Sequence, residues 1–226
     1  MSYNGLLLDI DNTLYEYEPV HQKALQSVIG FLSEQSSIKN EILYEYYNIA
    51  KNQIHIELHG TAASHNRLLY FQRLFELLGK PSMPLAGDAY EVYWSTFITH
   101  MTFSKGVIEF FQKSKNSKIC LVTDLTADVQ FKKIKKLQLD KYCQYVVTSE
   151  EAGVEKPHPY IFLLALKKLG MTPDEVCMIG DSYKKDIVGA SELGIKNFWI
   201  SPEKPKVTVP QNTTVVSKFE EIVRYI

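Results

Sequence analysis

The sequence predicts an α/β fold: a doubly wound, mostly parallel sheet interrupted by an inserted helical segment. Three observations carry this. A short apolar run, Leu6-Leu7-Leu8, stops at Asp9-Ile10-Asp11-Asn12-Thr13 near the start of the chain. From Phe103 onward, short apolar runs alternate with stretches of helical periodicity. Between the two lies a region, about Tyr15 to His100, with helical spacing throughout. Alternating strands and helices mean parallel βαβ units with right-handed crossovers. The first strand belongs to that sheet, so the helical region is an insertion. The expected division is 1–15 with 101–226 for the core and 16–100 for the insertion.

The elements follow in chain order. Leu6 to Leu8 is continuous, apolar, and stopped by turn-formers, as in a buried strand. In the insertion, Val20, Ala24, Leu25, Val28, Ile29 and Leu32 have the spacing of one helical face. Ile42, Tyr46, Ile49 and Ala50 repeat it, as do Leu68 to Leu78, where Gly79-Lys80-Pro81 ends the helix. A further helix runs from about Leu85 to Ile98. The core then reads as a helix (Gly106 to Lys113), a strand (Lys118 to Thr123), a helix (Ala127 to Leu137) and a strand (Tyr145 to Thr148). A helix between Pro157 and Gly170 follows. Next come a strand (Val176 to Gly180), a helix (Tyr183 to Leu193) and a last strand (Asn197 to Ile200) before a Pro-rich loop.

Composition bounds the function. A chain of 226 residues suits one large domain or a core with an insertion, and 45% hydrophobic residues are enough for a real core. The net charge of -1 gives no basic footprint for nucleic acid or an anionic membrane, so any anionic ligand must be drawn by local groups. Cys120, Cys143 and Cys177 lack close metal-ligand spacing and read as small buried hydrophobes in a reducing cytosol. The N-terminus lacks a basic region and a long apolar run, and no segment approaches membrane-spanning length; a cytoplasmic protein is expected. There is no G-x-S-x-G elbow, P-loop or dinucleotide fingerprint.

In open α/β sheets, ligands bind beyond the carboxyl ends of the strands. Asp9 and Asp11 end the first strand, and Thr123-Asp124 ends the second. Glu155-Lys156 precedes the helix that begins near Pro157. Gly180-Asp181-Ser182 ends a later strand, with Asp186 one helical turn on. Capping of a strand end is one use of Asp9 and Asp11. Convergence of all these groups on one crevice is the other. Several carboxylates close together do not all stay ionised beside one lysine, and an all-oxygen set favours Mg2+ as the neutralising cation. Such a cation would also bridge to a phosphoryl oxygen, and phosphoryl transfer is chiefly positioning and charge neutralisation.

The ordered set DIDNT, Thr123 after an apolar strand, EKPHP and GDSYKKD resembles the haloacid dehalogenase superfamily, over residues 1–15 and 101–202. The insertion resembles that superfamily's helical cap. The resemblance implies an HAD-like Rossmannoid core and a Mg2+-dependent phosphatase. Asp9 would be the nucleophile, forming an aspartyl-phosphate and ligating Mg2+. Asp11 would protonate the leaving oxygen, activate water and offer its carbonyl to the metal. Thr123 and Lys156 would hold the phosphoryl group. Asp181 would bind Mg2+, with Asp186 supporting it, and Thr13 would orient the loop. Many relatives carry Asn where this chain has Asp124; an acid there repels phosphate, so its backbone N–H is the expected contributor.

Asp11 selects the chemistry, since a leaving alkoxide needs a proton; the dehalogenase and phosphonate branches lack this acid. A phosphomutase shares it and stays as the enzyme alternative, with a non-catalytic binding protein the remote one. The stretches Trp94 to Thr102 and Glu155 to Phe162 are similar to the branch holding N-acylneuraminate-9-phosphatases and pyrimidine nucleotidases. The substrate class is therefore a small phosphate ester: a sugar phosphate, sialic acid phosphate or nucleotide. Cap residues would select it. Arg67 is the expected contact for an anionic substrate group, because arginine forks match carboxylates; a solvated helix face is the other reading of such cap residues. Lys132, Lys133, Lys135 and Lys136 read as a solvated face, Lys184 and Lys185 as surface. Ser182 either holds Asp181 or caps the next helix.

Overall fold

The computed structural model describes residues 3–226. The chain divides into two compact units, one formed by residues 1–16 with 102–226, the other by Tyr17–Met101. The first unit holds one six-stranded sheet: β1 (Gly5–Leu8), β2 (Lys118–Thr123), β3 (Tyr145–Thr148), β4 (Val176–Gly180), β5 (Lys196–Ile200) and β6 (Thr213–Val216). Its order is β3-β2-β1-β4-β5-β6, and every pairing is parallel. This is the doubly wound α/β fold expected. β1 and β4 are buried along their whole length, which is why they read as unbroken apolar runs rather than alternating ones. β1 is central, and the chain leaves it toward β2 on one side and returns to β4 on the other. Such a reversal opens a crevice at the strands' carboxyl ends.

Two elements differ from the sequence reading. The strand ending at Ile200 is not the last: β6 pairs beyond it at the edge, with Trp199 opposite Val215. Four β-branched residues, Thr213 to Val216, suffice for a half-buried edge strand, but the prolines before them hid it. The helix expected from Tyr183 to Leu193 is instead a π-helical turn, Tyr183–Val188, followed by a short helical turn, Gly189–Ser191. Ser182 O accepts from both Asp186 N (2.9 Å) and Ile187 N (3.3 Å), which widens the turn. Gly189 allows the widened turn to pack: a Cβ there would lie 2.7 Å from Phe162 and 2.9 Å from Pro157 O. Such widened turns concentrate at functional sites.

The second unit is all helical: α1 (Tyr17–Ser36), α2 (Asn40–Glu57), α3 (Arg67–Leu77) and α4 (Met83–His100). α1 buries Val20, Ala24, Leu25, Val28, Ile29 and Leu32, the stripe its periodicity marked. Tyr47, Tyr70, Phe71, Tyr93, Trp94 and Phe97 fill this unit's interior. Asn66 caps α3 by accepting from Leu68 N at 3.0 Å.

In the α/β unit, α5 (Val107–Lys113), α6 (Ala127–Leu137), α7 (Ser149–Ala152) and α8 (Pro159–Leu169) flank the sheet. Ile161, Phe162, Ala165, Leu166 and Leu169 of α8 pack with Leu7, Cys120, Val122, Val147 and Met178 into one core. That core fixes the strand ends on which the polar groups stand.

Candidate active site

Lys156 organises the cluster. Its Nζ donates to Asp9 Oδ1 (2.6 Å), Asp186 Oδ1 (2.7 Å) and Val122 O (3.0 Å), and the side chain is almost wholly enclosed. One carboxylate oxygen from each of Asp9, Asp181 and Asp186 lies within 4.8 Å of the others. Thr13 Oγ1 donates to Asp9 Oδ2 at 3.0 Å, and Asn12 Nδ2 to Asp181 Oδ2 at 2.8 Å. Asn12 has φ 62°, a left-handed turn that asparagine tolerates and that folds the loop back after Asp11. Asp186 sits hard against the end of β4. A Cβ on Gly180 would lie 2.4 Å from the Asp186 carboxyl carbon, so only glycine fits there. Ser182 N donates to Asp186 Oδ2 at 2.9 Å, and Trp199 Nε1 holds the Asp181 carbonyl at 2.8 Å.

The electrostatics are unbalanced. Burial raises Asp9 to about 7; Lys156 opposes this, while the Asp186 and Asp11 charges add to it. Asp181 is raised to about 6, first by burial and then by Asp9. Asp186 is raised by burial against the pull of Lys156. Burial would lower Lys156, but Asp186, Asp9 and Asp124 hold it well above its ordinary value. Three acids around one ammonium thus lack positive charge. Their oxygens are hard donors gathered in one place, which fits a divalent cation of the magnesium type.

Asp11 lives differently, two residues away. Its oxygens accept from Lys133 Nζ (2.5 and 2.7 Å), Gln130 Nε2 (3.0 Å) and Tyr15 Oη. Burial acts to raise Asp11, yet the Lys133 charge, with hydrogen bonds from Lys133, Tyr15 and Gln130, leaves it lowered. Gln130 Nε2 also reaches Thr123 Oγ1 (2.8 Å) and Asp124 O (2.6 Å). The same amide leaves its Oε1 buried without a hydrogen-bond partner, an arrangement that costs about 1–3 kcal/mol.

The structure therefore brings Asp9, Asp181, Asp186 and Lys156 into direct contact or close approach. Thr123 and Asp11 are tied together through Gln130. The Asp124 carboxylate is taken up within the α/β unit. Its Oδ1 accepts from Lys156 N (3.0 Å) and its Oδ2 from Lys185 Nζ (2.8 Å). An acid can serve two donors at once where the amide of Asn would serve one, so Asp124 pins the Lys156 loop. Ser182 caps the following turn by accepting from Lys185 N at 3.3 Å. Lys185 is not a plain surface residue, since it pairs with Asp124.

Arg67 lies in the helical unit and is packed rather than presented. It is 7% exposed. Its guanidinium donates to His65 O (2.6 Å) and Tyr17 Oη and lies over the rings of Tyr70, Tyr93 and Trp94 at 5.3–5.7 Å. Those contacts spend its fork inside the unit, against the expectation of a group aimed at substrate.

Sequence reasoning missed Lys133, Gln130 and Tyr15. Lys133 was grouped with Lys132, Lys135 and Lys136 as a solvated face, yet it is fully buried. The signal was present: Gln130, Lys133, Ile134 and Leu137 fall on one helical stripe with Val129, and all five are buried. A lysine inside an apolar stripe needs a partner. The cysteines are inert by contrast, with Cys120 and Cys177 raised to about 12 by burial.

The haloacid dehalogenase-like hydrolase family matches residues 3–194, and the chain belongs to it. The chain is 34% identical over 207 residues to the ribulose-1,5-bisphosphate 5-phosphatase of Halopiger xanaduensis, covering 88% of this chain and 85% of that one. It is 26% identical over 203 residues to the human N-acylneuraminate-9-phosphatase, covering 87% and 82%. The HAD-hydrolase YfnB of Bacillus subtilis, whose crystal structure is bound to magnesium, shares the fold with a TM-score of 0.73 at 20% identity, covering 100% and 99%. These sequence relatives are phosphatases, and the chain is a hydrolase of that branch.

Proposed function

We propose that this protein hydrolyses small phosphate monoesters through an aspartyl-phosphate on Asp9. The observation that carries the reading is the Lys156 ammonium held between Asp9 and Asp186, with Asp181 completing a three-carboxylate cluster. An oxygen of Asp9 attacks phosphorus in line with the ester oxygen, which departs with a proton that Asp11 first takes up from solvent, against the pull of Lys133, as substrate binds. The enzyme then carries the phosphoryl group on Asp9. Asp11, now a carboxylate, takes a proton from water, and the water oxygen attacks phosphorus. Inorganic phosphate leaves and Asp9 is restored.

Lys156 neutralises the nucleophile and the phosphoryl oxygens, and Thr123 donates its hydroxyl to the transferred group. Thr13 engages one Asp9 oxygen and Lys156 the other, which fixes the orientation of the carboxylate. Asp9, Asp181, Asp186 and the Asp11 carbonyl form the set that would hold Mg2+, whose chemistry here is to offset the charge gathered on the phosphoryl oxygens. The preferred substrates are phosphorylated sugars or sugar acids, by analogy with the relatives' named activities on ribulose bisphosphate and N-acylneuraminate phosphate. No role in this reading falls to Arg67 beyond holding the helical unit.

The test is phosphate release from a panel of sugar, sugar-acid and nucleotide monophosphates with Mg2+ and with EDTA. Release with Mg2+ that EDTA stops supports the reading; undiminished release in EDTA rejects it.

A further inference from the structure

Lys133 is a fully buried lysine on an otherwise apolar helix stripe. A buried ammonium costs more than the apolar side chain that would fill the same space, so its retention calls for a specific use. Its Nζ grips both oxygens of Asp11, at 2.5 and 2.7 Å. One helical turn earlier, Gln130 reaches the second Asp11 oxygen and Thr123 Oγ1 with the same amide nitrogen, at 3.0 and 2.8 Å. That amide gives up a partner for its own buried oxygen to do so. The Asp11 loop is closed independently: Leu14 N bonds Ile10 O at 3.0 Å, and Asp11 and Tyr15 form a parallel bridge. The loop therefore does not need Lys133 to hold its backbone. What Lys133 and Gln130 fix is the direction of the Asp11 carboxylate and its distance from Thr123.

We propose that Lys133 and Gln130, presented together by α6, are positioning residues that aim Asp11 for proton exchange with the departing ester oxygen and register it to Thr123. This rests on the phosphatase reading above and adds a specific consequence. An alkoxide leaving group needs the proton from Asp11, whereas p-nitrophenolate departs without one. Loss of a residue that aims Asp11 must therefore discriminate between leaving groups. Loss of a residue that merely stabilises the fold lowers both rates alike.

The experiment compares kcat/KM for p-nitrophenyl phosphate and glycerol 3-phosphate, with Mg2+, in wild type, Lys133→Met, Gln130→Met, Asp11→Asn and the double variant Asp11→Asn/Lys133→Met. For Lys133→Met, the alkyl ester is expected to lose about a hundredfold and the aryl ester less than about tenfold, with the alkyl loss in kcat rather than KM. Gln130→Met is expected to show the same discrimination, a larger loss on the alkyl ester than on the aryl ester, and it keeps the claim testable should Lys133→Met fold poorly. The double variant is expected to match Asp11→Asn within about twofold, since nothing remains to be aimed. Equal losses on both esters, or additive losses in the double variant, overturn the inference while the phosphatase reading stands. Phosphate release from neither ester by wild type overturns both.

Discussion

Two carboxylates two residues apart occupy opposite settings. Asp9 shares one ammonium with two other acids and is pushed up to about 7 by burial. Asp11 has a lysine of its own, with Gln130 and Tyr15 as further donors, and is held below its ordinary value. The first setting is short of positive charge and calls for a cation; the second is complete within the chain. One loop thus carries a carboxyl short of positive charge beside one whose charge is met within the chain.

The sharpest way to break this contrast is Asp9→Asn. The variant should fold, because the amide relieves a crowded cluster, and lose on the order of 10^6 in kcat, the scale of losing a nucleophile. Circular dichroism and phosphate release together check it; turnover near wild type would end the distinction.

Divalent-cation binding probes the same imbalance through pH. With folded values raised to about 7 for Asp9 and about 6 for Asp181, against 3.8 unfolded, the cation-free protein binds more protons folded than unfolded between about 4 and 7. The stability these groups contribute is fully present below 3.8 and is lost as pH rises through their folded values. Below those values Mg2+ must displace protons. The Mg2+-induced rise in Tm should therefore be larger at pH 7.5 than at pH 5.5. An equal rise at both pH values would contradict the charge shortage.

Gly180→Ala sharpens the steric half of the argument. Its Cβ would enter the Asp186 carboxylate, so a loss of about 1–3 kcal/mol in stability is expected, with reduced Mg2+ affinity. Denaturant unfolding and calorimetric titration measure both.

The smallest effect on turnover is expected from Arg67→Ala. It removes a buried packing group of the helical unit and should cost about 2 kcal/mol in stability while leaving KM within about twofold. A large KM increase with an unchanged Tm would restore Arg67 to the substrate.

Much of this was legible in the chain. β2, β4 and α6 have the bounds their patterns marked, because buried parallel strands and one-sided helices write themselves as apolar runs and stripes, and the edge strand β3, exposed at its first residue and buried at its last two, has them as well. Asp9, Lys156, Asp181 and Asp186 were legible because each stands at the carboxyl end of a strand or just before or after a helix start. β6 was not, since a four-residue edge strand behind prolines carries too few apolar positions to register a period. Nor was the widening of the turn at Asp186, which depends on Ser182 O accepting from two amides. Lys133 was misread for a different reason. Its neighbours Lys132, Lys135 and Lys136 dominated the composition of the segment, while its position on the Val129–Leu137 stripe decided its burial.

The most direct measurement is mass spectrometry of acid-quenched Asp11→Asn protein mixed with p-nitrophenyl phosphate and Mg2+. This ester can phosphorylate the enzyme without help from Asp11, while the missing carboxylate slows release by water. One phosphoryl group is expected on the peptide containing Asp9, and none when Asp9→Asn is added. A phosphoryl group on any other side chain would contradict the assignment of Asp9 as the nucleophile.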